Sequence, residues 1–323
     1  RADETAILQE LEQSRAKYTT AEAWAARRQE LRAEFLKAAG IWPLPPRPPL
    51  AAIVHSRRAY GDYSVENAAL ETFPGFYCTG NLYRPLGRKD LGPVILCPHG
   101  HSSPLGRFCE EQQIGCAHLA RMGATVFSYS LVGWHDSRQT THDDPRVLAL
   151  QTWNSIRVLD YLTSLPRVDA ERVGIIGPSD GGKQALFLTL VDDRVKASAP
   201  VVIVDRSAAA DKVVSAHLAA EGHGFGPTKR RLVYEFFATH LPIEPNRFLA
   251  LDKTKADPLL AEDLTKITIE TPQQMEAFDA AHPLPPQALS GSEAVGAAFE
   301  KYLHDLRQAS APRAGAVRVD QAP

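Results

Sequence analysis

Between residues 93 and 204 the chain alternates short apolar runs with amphipathic stretches, and that rhythm restricts the available folds more than any other feature. Residues 93–97, 124–129, 172–176 and 197–204 read as buried strands, while 110–122, 146–165 and 181–191 carry helical spacing. Such alternation predicts a mostly parallel, doubly wound α/β sheet with helices on both faces. Ligands of these sheets bind beyond the carboxyl ends of the strands. The loops 98–106, 131–143 and 177–181 all emerge there, so they can share one cleft.

The flanks follow other rules. Residues 1–40 keep helical spacing through Leu8, Leu11, Trp24, Leu31, Phe35 and Leu36 and stop at Gly40, before the stiff stretch Trp42-Pro43-Leu44-Pro45-Pro46-Arg47-Pro48-Pro49. Over 51–85, alternating and β-branched segments predict strands of an antiparallel edge. Further on, 213–219 is strand-like and 228–240 helical. The Pro- and Ala-rich remainder holds two predicted helices, 272–281 and 292–308, before a polar tail. No internal repeat is present in the sequence.

Gly177-Pro178-Ser179-Asp180-Gly181 falls where the strand 172–176 gives way to the helix 181–191, which is the arrangement of a nucleophile elbow. Flanking glycines let the backbone turn sharply, and the helix that follows points free N–H groups and its dipole at negative charge near Ser179. The plainer alternative is that Ser179 only caps the helix, serine being a favoured N-cap.

With 323 residues, 44% hydrophobic and 23% charged, the chain can bury a large core as one α/β domain with additions at its ends. A net charge of -2 provides no basic field for nucleic acid, and no apolar run approaches the length of a bilayer span. Neither a nucleic acid nor a membrane is expected as a partner, and the oligomeric state is not readable. Cys78, Cys97, Cys109 and Cys116 include no C-x-x-C pair. Cys97 reads as a small hydrophobe, and a Cys109–Cys116 disulfide stays open. A start at Arg1 rather than Met suits a processed, exported chain, periplasmic or secreted, with its signal already removed, but the compartment stays open.

Acyl transfer by a serine needs a base, an acid to orient that base, and donors for the tetrahedral oxygen. His223 lies in a glycine-flanked loop after 213–219 and is the candidate base, with a surface loop histidine as the alternative. The backbone N–H of Asp180 is one candidate oxyanion donor. The other is the N–H of His101, in Pro98-His99-Gly100-His101-Ser102. His99 either supports this loop or joins the pocket, and a metal held by His99 and His101 is a further reading. Trp134, His135 and Lys183 complete the candidate pocket. Asp136 could equally tie down its own turn, and Lys183 either reaches a substrate carboxylate or stays solvated.

From about Trp24 to His240 the chain resembles the α/β-hydrolase superfamily, and within it the acetyl xylan esterase-like and dienelactone hydrolase-like branch. The likeness rests on Cys97-Pro98-His99-Gly100-His101, Val132-Gly133-Trp134-His135-Asp136-Ser137, Gly177-Pro178-Ser179-Asp180-Gly181-Gly182 and Glu221-Gly222-His223-Gly224-Phe225-Gly226-Pro227. It implies a carboxylic-ester hydrolase with Ser179 as nucleophile, His223 as base, no metal or organic cofactor, and acetylated carbohydrate as substrate class. It divides the chain into a helical cap and Pro-rich linker (1–50), an α/β-hydrolase domain (51–240) and a helical extension with a polar tail (241–323).

The sequence departs from the resemblance at one point. Similar proteins carry a helix, a strand and the triad acid between the strands matching 197–204 and 213–219, whereas here only 205–212 joins them. A crossover between parallel strands takes at least about 10–12 residues, so the sheet is expected to be shortened there. Asp205, at the carboxyl end of its strand, is the preferred acid. Asp211 and a dyad without acid are the alternatives. Two other functions compete: cleavage of glucuronoyl or other sugar esters, and a non-catalytic relative used for binding.

Overall fold

A computed structural model describes residues 9, 12–13, 16–101, 103–201, 222–244, 249–251 and 260–310. Strands β1 (Ala51–Tyr60), β2 (Tyr63–Phe73), β3 (Phe76–Pro85), β4 (Gly92–Pro98), β5 (Thr125–Tyr129), β6 (Val168–Pro178) and β7 (Val195–Val201) form one seven-stranded sheet in the order β1-β2-β3-β5-β4-β6-β7. The first three pair antiparallel, and β3 meets β5 antiparallel. Strand β4 runs parallel to β5 and β6, and β6 parallel to β7. Both expected portions are therefore present: a parallel centre and an antiparallel edge. A short antiparallel pair, β8 (Leu249–Leu251) and β9 (Leu260–Glu262), stands apart.

Period-two alternation sorts the central strands between two cores. Val94 and Leu96 of β4 and Val173 and Ile175 of β6 face one side. There they meet α3 (Val147–Ser164) through Leu150, Trp153, Ile156 and Leu159, and α4 (Asp180–Val191) through Ala185 and Leu188. Ile95, Cys97 and Ile176 point the other way, onto α2 (Glu110–Arg121) and α5 (Pro227–His240). A strand buried on both faces needs apolar residues at every position, which is why 94–97 reads as an unbroken hydrophobic run.

The ends of the chain brace the first core. Helix α1 (Ala21–Ala38) opens with the Thr20 hydroxyl accepting the Ala23 N–H and stops at Gly40, whose φ of +75° suits glycine. Its Leu36 is buried, and Arg32 donates to the Leu190 carbonyl and to Asp193. From the other end, α7 (Ser292–Ser310) adds Val295, Phe299 and Leu303.

Two expectations change. The predicted helix 272–281 is a single turn, α6 (Pro272–Met275), closed by a capping box between Thr271 and Gln274. Beyond it, the sheet takes the backbone groups a helix would need for itself: Asn67 donates to the carbonyls of Gln274 and Glu276, and Asn81 donates to that of Met275. Cys109 and Cys116 are free thiols, as are Cys78 and Cys97. The hydrogen bond with Cys116, together with burial, pushes the Cys97 thiol far up. The expected strand 213–219 lies outside the described residues, and among those residues no helix is long and apolar enough to cross a membrane.

Candidate active site

Pro98 of β4 lies level with Tyr129 of β5, and Pro178 of β6 with Val201 of β7, so the central strands end on one rim. Ser179 leaves that rim with φ +55° and ψ -117°, half-buried, and its side chain makes no capping hydrogen bond to α4. An N-cap residue sits in the β region and uses its side chain on the helix N–H groups; Ser179 does neither, which removes the capping alternative. A non-glycine residue held in this region costs about 1–3 kcal/mol, supplied by the packing around it.

Three glycines provide that packing. A Cβ on Gly181 would stand 2.2 Å from the Pro98 carbonyl oxygen, and one on Gly177 would stand 2.3 Å from the Gly181 carbonyl carbon. A Cβ on Gly100 would meet the Pro178 oxygen at 2.2 Å and the Ser179 Cβ at 2.9 Å. The turn after β4 thus presses on the elbow, bringing 100–101 beside Ser179, and the Ser179 N–H donates to the Val201 carbonyl at 2.8 Å. Gly181→Ala is expected to push the elbow off β4, costing about 1–3 kcal/mol in urea unfolding and slowing fluorophosphonate labelling of Ser179.

His99 is 1% exposed with both ring nitrogens committed: Nδ1 to the Gly100 carbonyl at 2.9 Å, and Nε2 accepting the Leu131 N–H at 3.1 Å. Burial lowers its pKa to about 3, so it stays neutral. It ties the β4 turn to the loop after β5, the supporting role, and has no nitrogen left for a pocket or for a metal shared with His101. His101 is instead partly exposed. It stacks on Trp134 at 5.0 Å and lies edge-on to His142 at 4.6 Å.

Asp180 is the meeting point of this rim. Its Oδ1 pairs with Lys183 Nζ at 2.6 Å, while Oδ2 faces His101 Nε2 at 3.5 Å and His142 Nε2 at 3.4 Å. Partial burial pushes the Asp180 carboxyl up, but the Lys183 hydrogen bond and the nearby charges outweigh it and hold it below the usual carboxylate range. Lys183 is therefore neither unpaired nor buried: it is exposed and held to Asp180.

His135 sits at φ +51°, with its ring on Phe108 at 4.5 Å, and burial lowers its pKa to about 4. Asp136 reaches well beyond its own turn. Its oxygens accept from Arg107 at 2.8 Å, Thr79 at 2.7 Å and the Ala277 N–H at 2.6 Å. Arg107, fully buried, also donates to Ser130 and to the Met275 carbonyl.

His223 is exposed, and no hydrogen bond joins it to Ser179 among the described residues. Its loop is anchored where the Phe225 N–H donates to Glu111 Oε2 at 2.9 Å, and Glu111 lies in the first turn of α2, which rises from the same rim. Asp205 and Asp211 lie outside the described residues. Sequence reasoning missed Arg107 and His142; only the position of His142 within the loop 131–143 pointed to it.

Comparison with known proteins adds the following. The family described as glucuronyl esterase of fungi matches residues 139–216, and no curated protein matches the chain. Among solved structures, Methylesterase BT1017 is 28% identical at a TM-score of 0.75, over 93% of this chain and 79% of that one. An acetyl xylan esterase from Paenibacillus sp. R4 is 21% identical at a TM-score of 0.40, over 53% of this chain and 57% of that one. A glucuronoyl esterase from Solibacter usitatus is 19% identical at a TM-score of 0.40, over 70% of this chain and 66% of that one. A strained serine at the strand-to-helix turn of a doubly wound sheet, in a chain matched over 93% of its length by the methylesterase, gives the α/β-hydrolase fold, here in a carboxylic-ester hydrolase.

Proposed function

We propose that the protein is a serine-dependent carbohydrate esterase, with Ser179 as nucleophile, His223 as general base, and the amides of Asp180 and His101 as oxyanion donors. The observation that carries the reading is the Ser179 backbone, held at positive φ by Gly100, Gly177 and Gly181. In this reading Ser179 Oγ attacks the ester carbonyl as His223 takes its proton. The oxyanion forms near the free N–H groups at the start of α4, and the alkoxide leaves with the proton from His223. Water then repeats the sequence on the acyl-enzyme. Asp205 orients the imidazole. Trp134, stacked on His101, gives the cleft an apolar wall for the sugar or acyl group.

Acetylated sugars are the first substrate class. A uronate ester is the second reading, favoured by the fungal glucuronyl esterase match, whose span contains both Ser179 and Lys183. A cationic Lys183 beside the elbow would suit the acidic sugar, and the methylesterase likeness suits a small alcohol on that acid.

Rates on p-nitrophenyl acetate, an acetylated xylo-oligosaccharide and a methyl hexuronate separate the two. Asp205→Asn is expected to lower kcat by up to about 10⁴-fold, and Asp211→Asn by less than about tenfold. The reverse ranking would exchange the two acids. Unchanged turnover in His223→Ala would remove the base.

A further inference from the structure

We infer that His101, His142 and Asp180 form a binding site for a transition-metal dication of the zinc class, on the rim beside Ser179. The three residues each offer a ligand atom within 4.8 Å of the other two. Both nitrogens stand 3.4 and 3.5 Å from Oδ2. Around a tetrahedral zinc, bonds of roughly 2.0–2.1 Å set neighbouring ligand atoms about 3.3–3.5 Å apart. The observed spacing is that of a coordination edge, and it is long for a hydrogen bond.

The second observation is the protonation pattern of His142. Its Nδ1 lies 2.8 Å from the Val132 carbonyl, which can only accept, so Nδ1 carries the hydrogen. With its hydrogen on Nδ1, the neutral ring offers the Nε2 lone pair toward Asp180, which is the form in which imidazole binds a metal. Donation from the far ring nitrogen to a backbone carbonyl is how metal-binding histidines are usually held. The sequence builds the support locally. Gly133, at φ +84°, lets its turn press on the backbone of Thr141 and His142; a Cβ there would stand 2.2 Å from the His142 nitrogen. Lys183 holds Oδ1 and so aims Oδ2.

Three protein ligands leave a fourth position for water or a substrate oxygen, and His101 is exposed enough for the ion to enter. In a second grouping, His55, Asp279 and His282, His55 has no free nitrogen. Both nitrogens of His55 are engaged, by Ser56 and the Ala277 carbonyl, and His282 Nδ1 pairs with Asp279. The site is independent of the serine chemistry proposed above, although Asp180 and His101 belong to both through different atoms, their backbone amides there and their side chains here.

The test uses the full chain, stripped with chelator and dialysed, then titrated with Co²⁺ and Zn²⁺. Wild-type protein is expected to take up one Co²⁺ with the visible d–d bands of a four-coordinate ion, displaced by Zn²⁺. His142→Gln and Asp180→Asn should each weaken binding by more than the roughly 10–100-fold that loss of an outer-shell partner costs. Thermal melts establish that each variant is folded, and Ser179→Ala and His282→Gln should keep the bands. Absence of a stoichiometric spectrum in wild-type protein, its survival in both folded ligand variants, or its loss in His282→Gln would overturn the site. Esterase turnover is scored separately: turnover without cobalt uptake overturns the metal site alone, whereas cobalt uptake without turnover overturns the esterase reading and supports the site.

Discussion

Replacing Ser179 with alanine is expected to lower kcat/KM on acetyl and methyl esters by about 10⁴-fold or more while the protein stays folded. The loss follows from the proposed role of the hydroxyl as the nucleophile that carries the acyl intermediate, so fluorophosphonate labelling should vanish with it. Stability should hardly change, because alanine keeps a Cβ and therefore the strain of φ +55°. Ser179→Gly separates chemistry from strain. It is equally inactive, yet glycine accepts positive φ freely, so its midpoint in denaturant should exceed that of Ser179→Ala by an amount of order 1 kcal/mol. Substantial turnover in either variant would remove Ser179 as nucleophile. Equal stabilities would mean that the elbow stores no strain.

The elbow was legible because it is local: a strand, a five-residue turn and a helix lie consecutively in the chain, and the glycines that permit the turn are part of the motif. The central strands were legible for a similar reason, since burial on both faces makes 94–97 apolar throughout. What escaped depends on partners far away in the chain. Residues 276–281 lose their helix to Asn67, Asn81 and Asp136, more than 130 residues upstream. Arg107 reads as a surface loop charge until β3, the loop after β5 and the segment at Met275 close over it. His142 gives no periodic signal, and it reaches Asp180 only because Gly133 folds the loop back. The pairing of His99 with His101 failed for the opposite reason: the turn at Gly100 sends the two histidines apart, one into the protein and one toward the cleft.

The second large effect concerns Asp136. Asp136→Asn is expected to cost about 3–5 kcal/mol, the usual consequence of leaving a buried charge without its partner. Three donors converge on this carboxylate: the Arg107 guanidinium, the Thr79 hydroxyl and the Ala277 N–H. An amide that keeps its oxygen toward Arg107 and Ala277 can turn its NH₂ to the Thr79 hydroxyl, which then accepts, so what the substitution removes is the charge that pairs with Arg107. Burial lowers the Arg107 pKa, and Asp136 is the largest of the charges that oppose it. The two sides of the pair are not equivalent, because a guanidinium cannot shed its proton in a protein whereas a carboxyl can take one. Arg107→Met should therefore cost less than Asp136→Asn. The double variant Arg107→Met/Asp136→Asn should recover part of the single Asn loss, since no charge is then buried. Urea midpoints of the four proteins measure each term. Asp136→Asn at wild-type stability would mean that water reaches Arg107 and that the segment at 272–277 is held by its other contacts.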